Sequence, residues 1–334
     1  MKITIADIAG KAKVSRMTVS RVLNGNGYVA EETKEKIKKI IDELNFQPNL
    51  IARSLSSQKT KTIGVLIPKT EKLFLDNYMA QVLSGISDGA QEKDYKIMLV
   101  PVNLDDLSKG LYLNFVKSRL YDGLILLKAK INDPCLPELV ESGFPSIVVN
   151  YKKHRDNFNF VDSENIKGTE TALEYLLKKG HKRIAFVAGS MDETNARDRL
   201  KGYKNFLKKH RLAYNKDYVA NGEFNQEKAY ERAGKLLELK QKPTAIFCSD
   251  DYMAMGVIQR IKESGLSVPE EIAVMGFDNI EIGAFYTPAL TTVKQPMYDI
   301  GKSSFEALLG LINHQKESPV RITLQTELVI RESA

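Results

Sequence analysis

The amino-acid sequence predicts an all-α helix-turn-helix head with a hinge helix, followed by an α/β body of two lobes, each a doubly wound parallel sheet. Before residue 48, apolar residues recur at helical spacing, whereas from Ile63 onward short β-branched runs alternate with helical stretches. Positive charge is concentrated near the N-terminus. We therefore expect a head over residues 1–48, a hinge helix and linker over 49–61, and a body over 62–334.

The first predicted helix begins at Thr4, which has the spacing of a capping box with Asp7. Its apolar side chains follow at helical spacing: Ile5, Ile8, Ala9 and Ala12. Only Lys13 and Val14 separate this helix from Ser15. So short a connection predicts a helix-turn-helix whose second helix can enter a major groove, although such helix pairs also occur in proteins that bind no DNA.

The second predicted helix lies within residues 14–25 and carries a local signal at each end. Ser15 is a candidate N-cap, and Asn24-Gly25 is a candidate left-handed stop. One face is apolar and can pack against the head, while the opposite face presents Arg16, Met17, Ser20 and Arg21. We interpret this segment as a DNA-recognition helix.

A third helix is predicted from about Glu31 to Leu44, and Pro48 stops it. The short segment Leu50–Leu55 then precedes a polar stretch, and at about seven residues it could not hold as a helix alone in water. It also has the place of an ordinary interdomain linker. Its apolar residues beside Arg53 nevertheless resemble the wedges that minor-groove binders insert between base steps.

Charge and composition narrow the class of protein. Residues 1–61 contain 12 Lys/Arg and 6 Asp/Glu, so they carry +6 of the net charge of +7. A basic head suits a module that neutralises phosphates, and the alternative is a solvated charged face. No apolar run reaches the ~20 residues of a membrane span, which predicts a cytoplasmic protein with no membrane partner. Cys135 and Cys248 stand alone, so we expect no disulfide framework, metal site or cofactor.

The body is predicted from its buried parallel strands. They are Ile63–Ile67, Ile97–Val102, Gly123–Leu127, Ser146–Val149, Ile184–Ala188, Ala245–Cys248 and Ala273–Met275. Its length, about twice one such unit, predicts a first lobe over about 62–162 plus 292–322 and a second over about 163–291 plus 323–334. Open parallel sheets bind ligands beyond the carboxyl ends of their strands. The polar residues found there are Asn103, Asn150, Ser190, Asp250, Asp251 and Asp278.

Residues 3–67 resemble the head and hinge of the lactose/galactose repressor family of bacterial transcription regulators. The resemblance is carried by residues 4–9, 14–15, 18–24, 48–49, 52–55 and 63–65. It implies that Arg16, Met17 and Arg21 face base edges. It also implies phosphate contacts from Thr4, Thr18, Asn24 and Tyr28, and a minor-groove element formed by Leu55 with Ala52 and Ser56. The sequence departs from the family at Lys13, where many members have Gly, and at Ala30, where many have a Ser or Thr cap.

The resemblance continues through Val274–Asn279 and Thr287–Thr292 in a body that is similar to periplasmic sugar-binding proteins. It implies an effector-binding aspartate at Asp278, an effector-clamping arginine at Arg199, and cavity-lining positions at Tyr78, Asn150, Phe224 and Asp250. Carboxylates, an arginine and an aromatic face suit a polyhydroxylated ligand such as a sugar. A purine would also fit an arginine, an aspartate and a phenylalanine.

Together these features predict a sequence-specific transcriptional regulator, a repressor that binds a palindromic operator as a homodimer and is controlled by a sugar or sugar derivative. The alternatives within the same family are a purine-type regulator and a regulator corepressed by a phosphoprotein. An α/β enzyme or a sugar-binding transport protein is the other reading of the body. We expect no enzyme, because the sequence lacks GxGxxG after the first strand and a P-loop.

Overall fold

Two units make up the chain, one formed by residues 1–62 with 119–122 and the other by residues 63–118 with 123–334. The computed structural model describes residues 3–24, 27–46, 59–69, 76–103, 110–151 and 157–334, and the backbone alone at Asn24. Most of the predicted hinge, including Ala52, Leu55 and Ser56, lies outside the described residues.

Three helices form the head, as the sequence predicts: α1 (Ile5–Ala12), α2 (Arg16–Asn24) and α3 (Glu31–Glu43). Their shared core consists of five buried side chains with partly buried residues packed around them: Ile8, Ala9, Ala12, Val19 and Ile37. A core of this size provides only a small free energy of folding, because burial of apolar surface is the main term that favours folding.

Local hydrogen bonds fix the helix-turn-helix. Asp7 accepts hydrogen bonds from the backbone N–H and the hydroxyl of Thr4, at 2.8 and 2.7 Å. Ser15 caps α2, since its Oγ accepts from the Thr18 N–H at 3.1 Å. Between the helices, Lys13 has φ 58° and ψ 43°, the left-handed conformation that favours glycine. Ala30 caps α3 without a side-chain hydrogen bond.

The body contains two six-stranded sheets. The strands are β1 (Thr62–Pro68), β2 (Lys96–Val102), β3 (Gly123–Leu126), β4 (Ser146–Val149), β5 (Phe160–Ser163), β6 (Ile184–Ala188), β7 (Val219–Asn221), β8 (Ala245–Cys248), β9 (Ala273–Asp278), β10 (Thr291–Lys294), β11 (Arg321–Leu324) and β12 (Glu327–Val329). The first sheet has the order β11-β5-β4-β3-β1-β2, and the second has the order β12-β10-β9-β8-β6-β7. Pairing is parallel at β1–β3 and at β8–β9, whereas β10 and β12 pair antiparallel. The predicted α/β architecture with two parallel-dominated sheets is therefore confirmed.

Helices connect and cover these sheets. They are α4 (Asn77–Glu92), α5 (Leu111–Lys117), α6 (Cys135–Glu141), α7 (Asn165–Lys178), α8 (Thr194–Lys209), α9 (Gln226–Leu237), α10 (Asp251–Glu263), α11 (Glu281–Ala284) and α12 (Met297–Ile312). One apolar core lies between the first sheet, α4 and α12, and two further cores lie on the faces of the second sheet. No helix among the described residues is long and apolar enough to span a bilayer.

The chain crosses between the lobes three times, and two crossings differ from the prediction. Residues 292–294 were assigned to the first lobe, but β10 pairs with β9 and belongs to the second sheet. Residues 323–324 were assigned to the second lobe, but β11 pairs with β5 in the first. Strand pairing, which the sequence does not display, sets these boundaries.

Helices α4 and α12, which are far apart in sequence, meet at two glycines. A Cβ atom at Gly85 would lie 2.0 Å from the carbonyl oxygen of Tyr298, and one at Gly301 would lie 2.0 Å from that of Val82. Neither position has room for a side chain, so the two backbones approach each other directly.

Candidate functional site

The candidate DNA-binding surface is the exposed face of α2. Arg16, Met17 and Arg21 are exposed on that face, and the apolar Met17 side chain is 65% accessible to solvent. Val19 on the opposite face is fully buried in the head core. The helix therefore has the two-sided character that the sequence predicts, with one face packed and the other available.

The residues expected to contact phosphates are arranged around this helix. Thr4 and Tyr28 are exposed, Tyr28 at 91%. Thr18 is half-buried, and its hydroxyl lies 2.9 Å from that of Ser15. The side chain of Asn24 and the whole of Ala52, Leu55 and Ser56 lie outside the described residues, so their predicted roles stay predictions.

The candidate effector site is a cavity of about 510 Å³ in the body, lined from both lobes. All six side chains expected at an effector site line this one cavity: Tyr78, Asn150, Arg199, Phe224, Asp250 and Asp278. They are spread over two hundred residues of sequence and meet because the strands of each sheet end here.

Arg199 is an internal residue of α8 and is only 1% exposed. Its Nε donates to Asn165 Oδ1 at 2.8 Å, and its Nη1 donates to the carbonyl of Ser249. The guanidinium carbon lies 3.7 Å from the centre of the Phe277 ring, and Nη1 lies 3.8 Å from Asp278 Oδ1. A buried arginine held from four sides is rigid, so it can present its charge to the cavity without rearrangement.

Asp278 ends β9 beside this arginine, with φ 123°. Burial raises the pKa of Asp278 to about 7, although the Arg199 guanidinium lowers it. Its Oδ1 accepts a hydrogen bond from Gln295 Nε2, and Gln295 Oε1 accepts from the hydroxyl of Ser163 at 2.7 Å. This chain of bonds links the cavity to two of the segments that cross between the lobes.

Two carboxylates at the cavity also cap helices. Asp250 Oδ1 accepts from the Met253 N–H at 2.6 Å, and Asp76 Oδ1 accepts from the Met79 N–H at 3.2 Å. Asp76 belongs to the first lobe and Asp250 to the second. Burial raises the pKa of Asp250 to about 6, and the charge of Asp76 adds to the rise. Asp250 is therefore both a helix cap and a residue of the cavity lining.

Lys128 brings a cation from the first lobe toward acidic groups of the second. Its Nζ lies 3.7 Å from Glu193 Oε2. Burial by itself lowers the pKa of Lys128, but the carboxylates of Glu193, Asp76 and Asp250 together raise it. Lys128 directly follows the predicted strand Gly123–Leu127, so the strand-end rule that selected Asp250 also applies to it.

Other contacts join the two lobes at this edge. Thr194 Oγ1 donates to the carbonyl of Asn150 at 2.7 Å, and the N–H of Ile131 donates to the carbonyl of Asp192 at 2.9 Å. The lobes are therefore held together beside the cavity by hydrogen bonds as well as by charge.

Unusual backbone conformations and unpaired polar atoms occur together at the cavity. Asn150 and Phe224 have φ values of 56° and 54°, uncommon for residues other than glycine. The buried atoms Tyr78 Oη and Asn150 Oδ1 have no hydrogen-bond partner within the described part of the chain. Buried polar atoms are costly when unpaired, so a ligand that bonds to them would be favoured.

The sequence missed several cavity residues. They are Asp76, Lys128, Glu193, Asn195, Asn225, Gln226, Tyr252, Ile280 and Gln295. Asp76 and Asn225 are helix N-caps, a signal that the sequence carries. Gln295 follows β10, a strand that the sequence analysis does not identify. Of the predicted strand-end residues, Asp251 lies behind the cavity wall, where Oδ2 accepts from the Ile280 N–H at 2.8 Å. No group of three or more potential metal ligands occurs among the described residues.

Comparison with known proteins identifies the family to which this architecture belongs. The profile of the bacterial regulatory proteins of the lacI family matches residues 4–49, and that of the periplasmic binding protein-like domain matches residues 173–334. Catabolite control protein A of Priestia megaterium is 34% identical over 334 residues, covering 100% of this chain and 99% of that protein. The chain belongs to the LacI family.

Further relatives agree with this assignment. The repressor PurR of Vibrio campbellii (strain ATCC BAA-1116) is 32% identical over 332 residues, covering 99% of this chain and 98% of that protein. The lac repressor dimer bound to operator and the anti-inducer ONPF superimposes with a TM-score of 0.86 at 27% identity, covering 100% and 99% of the two chains. The complex of the regulator CelR with cellobiose gives 0.77 at 29% identity, covering 99% and 100%.

This LacI-family chain is therefore an effector-controlled, DNA-binding transcriptional regulator. The predicted family and function are confirmed, and its relatives are transcription repressors rather than enzymes.

Proposed function

We propose that this regulator is a cytoplasmic repressor that binds a palindromic operator as a homodimer and releases or engages it in response to a sugar or sugar derivative. The observation that supports the effector site most strongly is the convergence of Arg199, Asp278, Asp250, Phe224, Tyr78 and Asn150 on one cavity. The similar regulator CelR was solved in complex with cellobiose, which supports a sugar as the effector.

The DNA contacts follow from the exposed face of α2. Arg21 can donate two hydrogen bonds to a guanine, Arg16 can reach a neighbouring base edge, and Met17 offers an apolar contact. Thr4, Thr18, Asn24 and Tyr28 are proposed to hold phosphates, which fix the register of the helix in the groove. Leu55, flanked by Ala52 and Ser56, is proposed as the minor-groove wedge.

Exposed apolar side chains on the body support a homodimer. Phe285 is 80% exposed, and Ile282 and Ile330 are also exposed on the second lobe. On the first lobe, Met98 and Leu99 are exposed on β2, which is an edge strand of its sheet. Large exposed apolar groups commonly mark subunit interfaces, and a two-fold dimer matches an inverted-repeat operator.

The effector is proposed to act by binding one arrangement of the lobes more tightly than another. Asp278, Gln295 and Ser163 connect the cavity to the crossing segments, so a ligand that engages Asp278 is coupled by hydrogen bonds to the segments that join the lobes. In a dimer, a change in the lobes alters the spacing of the two hinge segments, and with it operator affinity.

A purine effector is the second candidate. PurR of Vibrio campbellii is 32% identical over nearly the full chain, and Phe224 and Tyr252 provide aromatic surfaces at the cavity. A purine would stack on such a surface and bond to Arg199 and Asp278.

The test combines DNA selection with ligand screening. Full-length protein would select its operator from random duplexes, and sugars and purine bases would then be screened by thermal shift and by their effect on affinity for the selected duplex. We expect an inverted repeat, and a sugar that both stabilises the body and changes operator affinity. If no inverted repeat were selected, the proposed palindromic operator would be wrong. If the protein responded to purines alone, the proposed sugar effector would be wrong.

A further inference from the structure

We infer that the cavity of this regulator selects an effector without negative charge, so that it takes a free sugar and rejects the phosphorylated form of the same sugar. The inference rests on the proposed sugar-responsive function and adds a charge requirement to it. Three observations support it: acidic side chains outnumber basic ones around the cavity, both basic side chains already lie beside carboxylates, and two carboxylates can accept hydrogen bonds from a ligand.

Carboxylates outnumber cations among the described residues that line the cavity. Four side chains are acidic: Asp76, Glu193, Asp250 and Asp278. Two are cationic: Lys128 and Arg199. The described lining therefore carries two more negative than positive charges when all of these groups are ionised. A phosphate group brought into this space would add like charge where solvent screening is weak.

Both cations already have protein partners. Arg199 donates from Nε to Asn165 and from Nη1 to the Ser249 carbonyl. The carboxylate of Asp278 lies next to its guanidinium group. Lys128 lies 3.7 Å from Glu193 and within the field of Asp76 and Asp250. A phosphate would have to compete for either cation with a carboxylate that already lies beside it, Asp278 for Arg199 and Glu193 for Lys128.

The carboxylates that face the cavity are suited to accept from hydroxyl groups. Asp76 and Asp250 each use Oδ1 to cap a helix. A carboxylate has a second oxygen, so each of these groups can accept a further hydrogen bond, one from each lobe. A ligand with several hydroxyls can donate to both at once, whereas a phosphate oxygen cannot donate and would be repelled by both.

Aromatic and uncharged polar groups complete a lining for a neutral ligand. A Cβ atom at Gly189 would lie 2.1 Å from Phe224 Cζ, so the backbone holds the Phe224 ring closely in place. Phe224 and Tyr252 offer surfaces for the apolar face of a sugar ring, while Tyr78 Oη and Asn150 Oδ1 are buried atoms that a hydroxyl could satisfy.

The experiment compares matched pairs on the full-length protein. Glucose and ribose would be titrated against glucose 6-phosphate and ribose 5-phosphate at pH 8, above the raised pKa values of Asp278 and Asp250. Galactose, cellobiose, hypoxanthine and guanine would be included in the same calorimetric and thermal-shift panel. We expect at least one free sugar to bind, and any phosphorylated counterpart to bind at least about 100-fold more weakly. A phosphorylated sugar that binds as tightly as its free form would overturn the inference while leaving the sugar-effector proposal in place. Binding of a purine with no sugar would overturn both.

Charge variants then test the cause of the discrimination. Asp76→Asn removes one cavity charge and keeps an oxygen that can accept from the helix N-terminus. It should reduce the ratio of free-sugar to phosphorylated-sugar affinity by about tenfold. Glu92→Gln removes a carboxylate of the same helix that pairs with Lys302 and does not line the cavity, and it should leave the ratio unchanged. An equal ratio in Asp76→Asn and the wild type would contradict the electrostatic explanation.

Discussion

The head and the body of this regulator build their candidate sites in opposite ways. The head presents its candidate DNA-binding face on one helix of nine residues, backed by a core of five buried side chains. The body assembles its cavity from residues as distant as Tyr78 and Gln295, each held by a different strand end or helix. The difference teaches that a local site depends on a few caps and turns, whereas an assembled site depends on the whole topology. Variants in the two regions should therefore fail in different ways.

The largest effect is expected from Arg199→Ala, which removes a fully buried cation and leaves Asp278 without it. The free energy of unfolding of the body should fall by about 3–5 kcal/mol, and the effector response should be lost. Chemical denaturation followed by tyrosine fluorescence measures the loss. Lys201→Ala, at an exposed position of the same helix, is the control. If both variants were equally stable, the assembled site would not depend on Arg199.

Between about pH 5 and 7.5, a pH dependence of stability should come from the body, where two buried carboxyls have raised pKa values. Burial raises the pKa of Asp278 to about 7 and that of Asp250 to about 6, so the folded body binds protons that the unfolded chain releases near pH 4. Their favourable contribution is complete below pH 4 and is lost as pH rises through about 6–7.

The free energy of unfolding of the body should thus fall by about 4 kcal/mol between about pH 5 and 7.5, with Asp278 contributing the larger share. Denaturation across this range in the wild type and in Asp278→Asn measures the effect. The variant should have a shallower slope, and a slope equal to that of the wild type would exclude Asp278 as its source.

In the head, Arg21→Ala should weaken operator binding by about 1–3 kcal/mol and relax sequence preference at one position of each half-site. The stability of the body should not change, because Arg21 is an exposed residue of α2. Fluorescence anisotropy on a set of single-base operator variants measures both. Arg21→Lys keeps the charge but not the two-pronged hydrogen bond, so it should retain nonspecific affinity. An unchanged preference in Arg21→Ala would count against α2 as the reader.

The smallest effect is expected from Lys13→Gly in the turn between α1 and α2. The left-handed conformation costs a residue with a side chain about 1–2 kcal/mol, and the added freedom of glycine in the unfolded chain offsets part of the gain. Amide exchange in α1 and α2 of the full-length protein should slow by an amount that corresponds to about 0.5–1 kcal/mol. Faster exchange would show that the left-handed conformation of Lys13 does not lower the stability of the head.

The sequence predicts the head well because its determinants are local. The Ser15 cap, the short connection after Ala12 and the buried position of Val19 are all encoded within a few residues. The seven predicted strands of the body are also present, because buried parallel strands form short apolar runs. Even so, the predicted Ala273–Met275 strand continues to Asp278.

What the sequence did not reveal is non-local. The strands β7, β11 and β12 are only half-buried or alternate with exposed residues, so they lack an apolar run. The partnership of β10 with β9 and of β11 with β5 decides the lobe boundaries, and strand order leaves no mark in the local pattern. Lys128 and Glu193 form an ion pair only because the fold brings the two lobes together, so their pairing could not be predicted from the sequence.

The glycine contact between α4 and α12 constrains how this protein can be recombined with its relatives. These helices come from the first and last thirds of the chain, yet Gly85 and Gly301 let their backbones touch. A chimaera that exchanges one helix and keeps the other would place a foreign side chain against a backbone carbonyl of the partner helix, where there is no space for it. Grafting a new sensor onto this head therefore requires moving both segments as a pair.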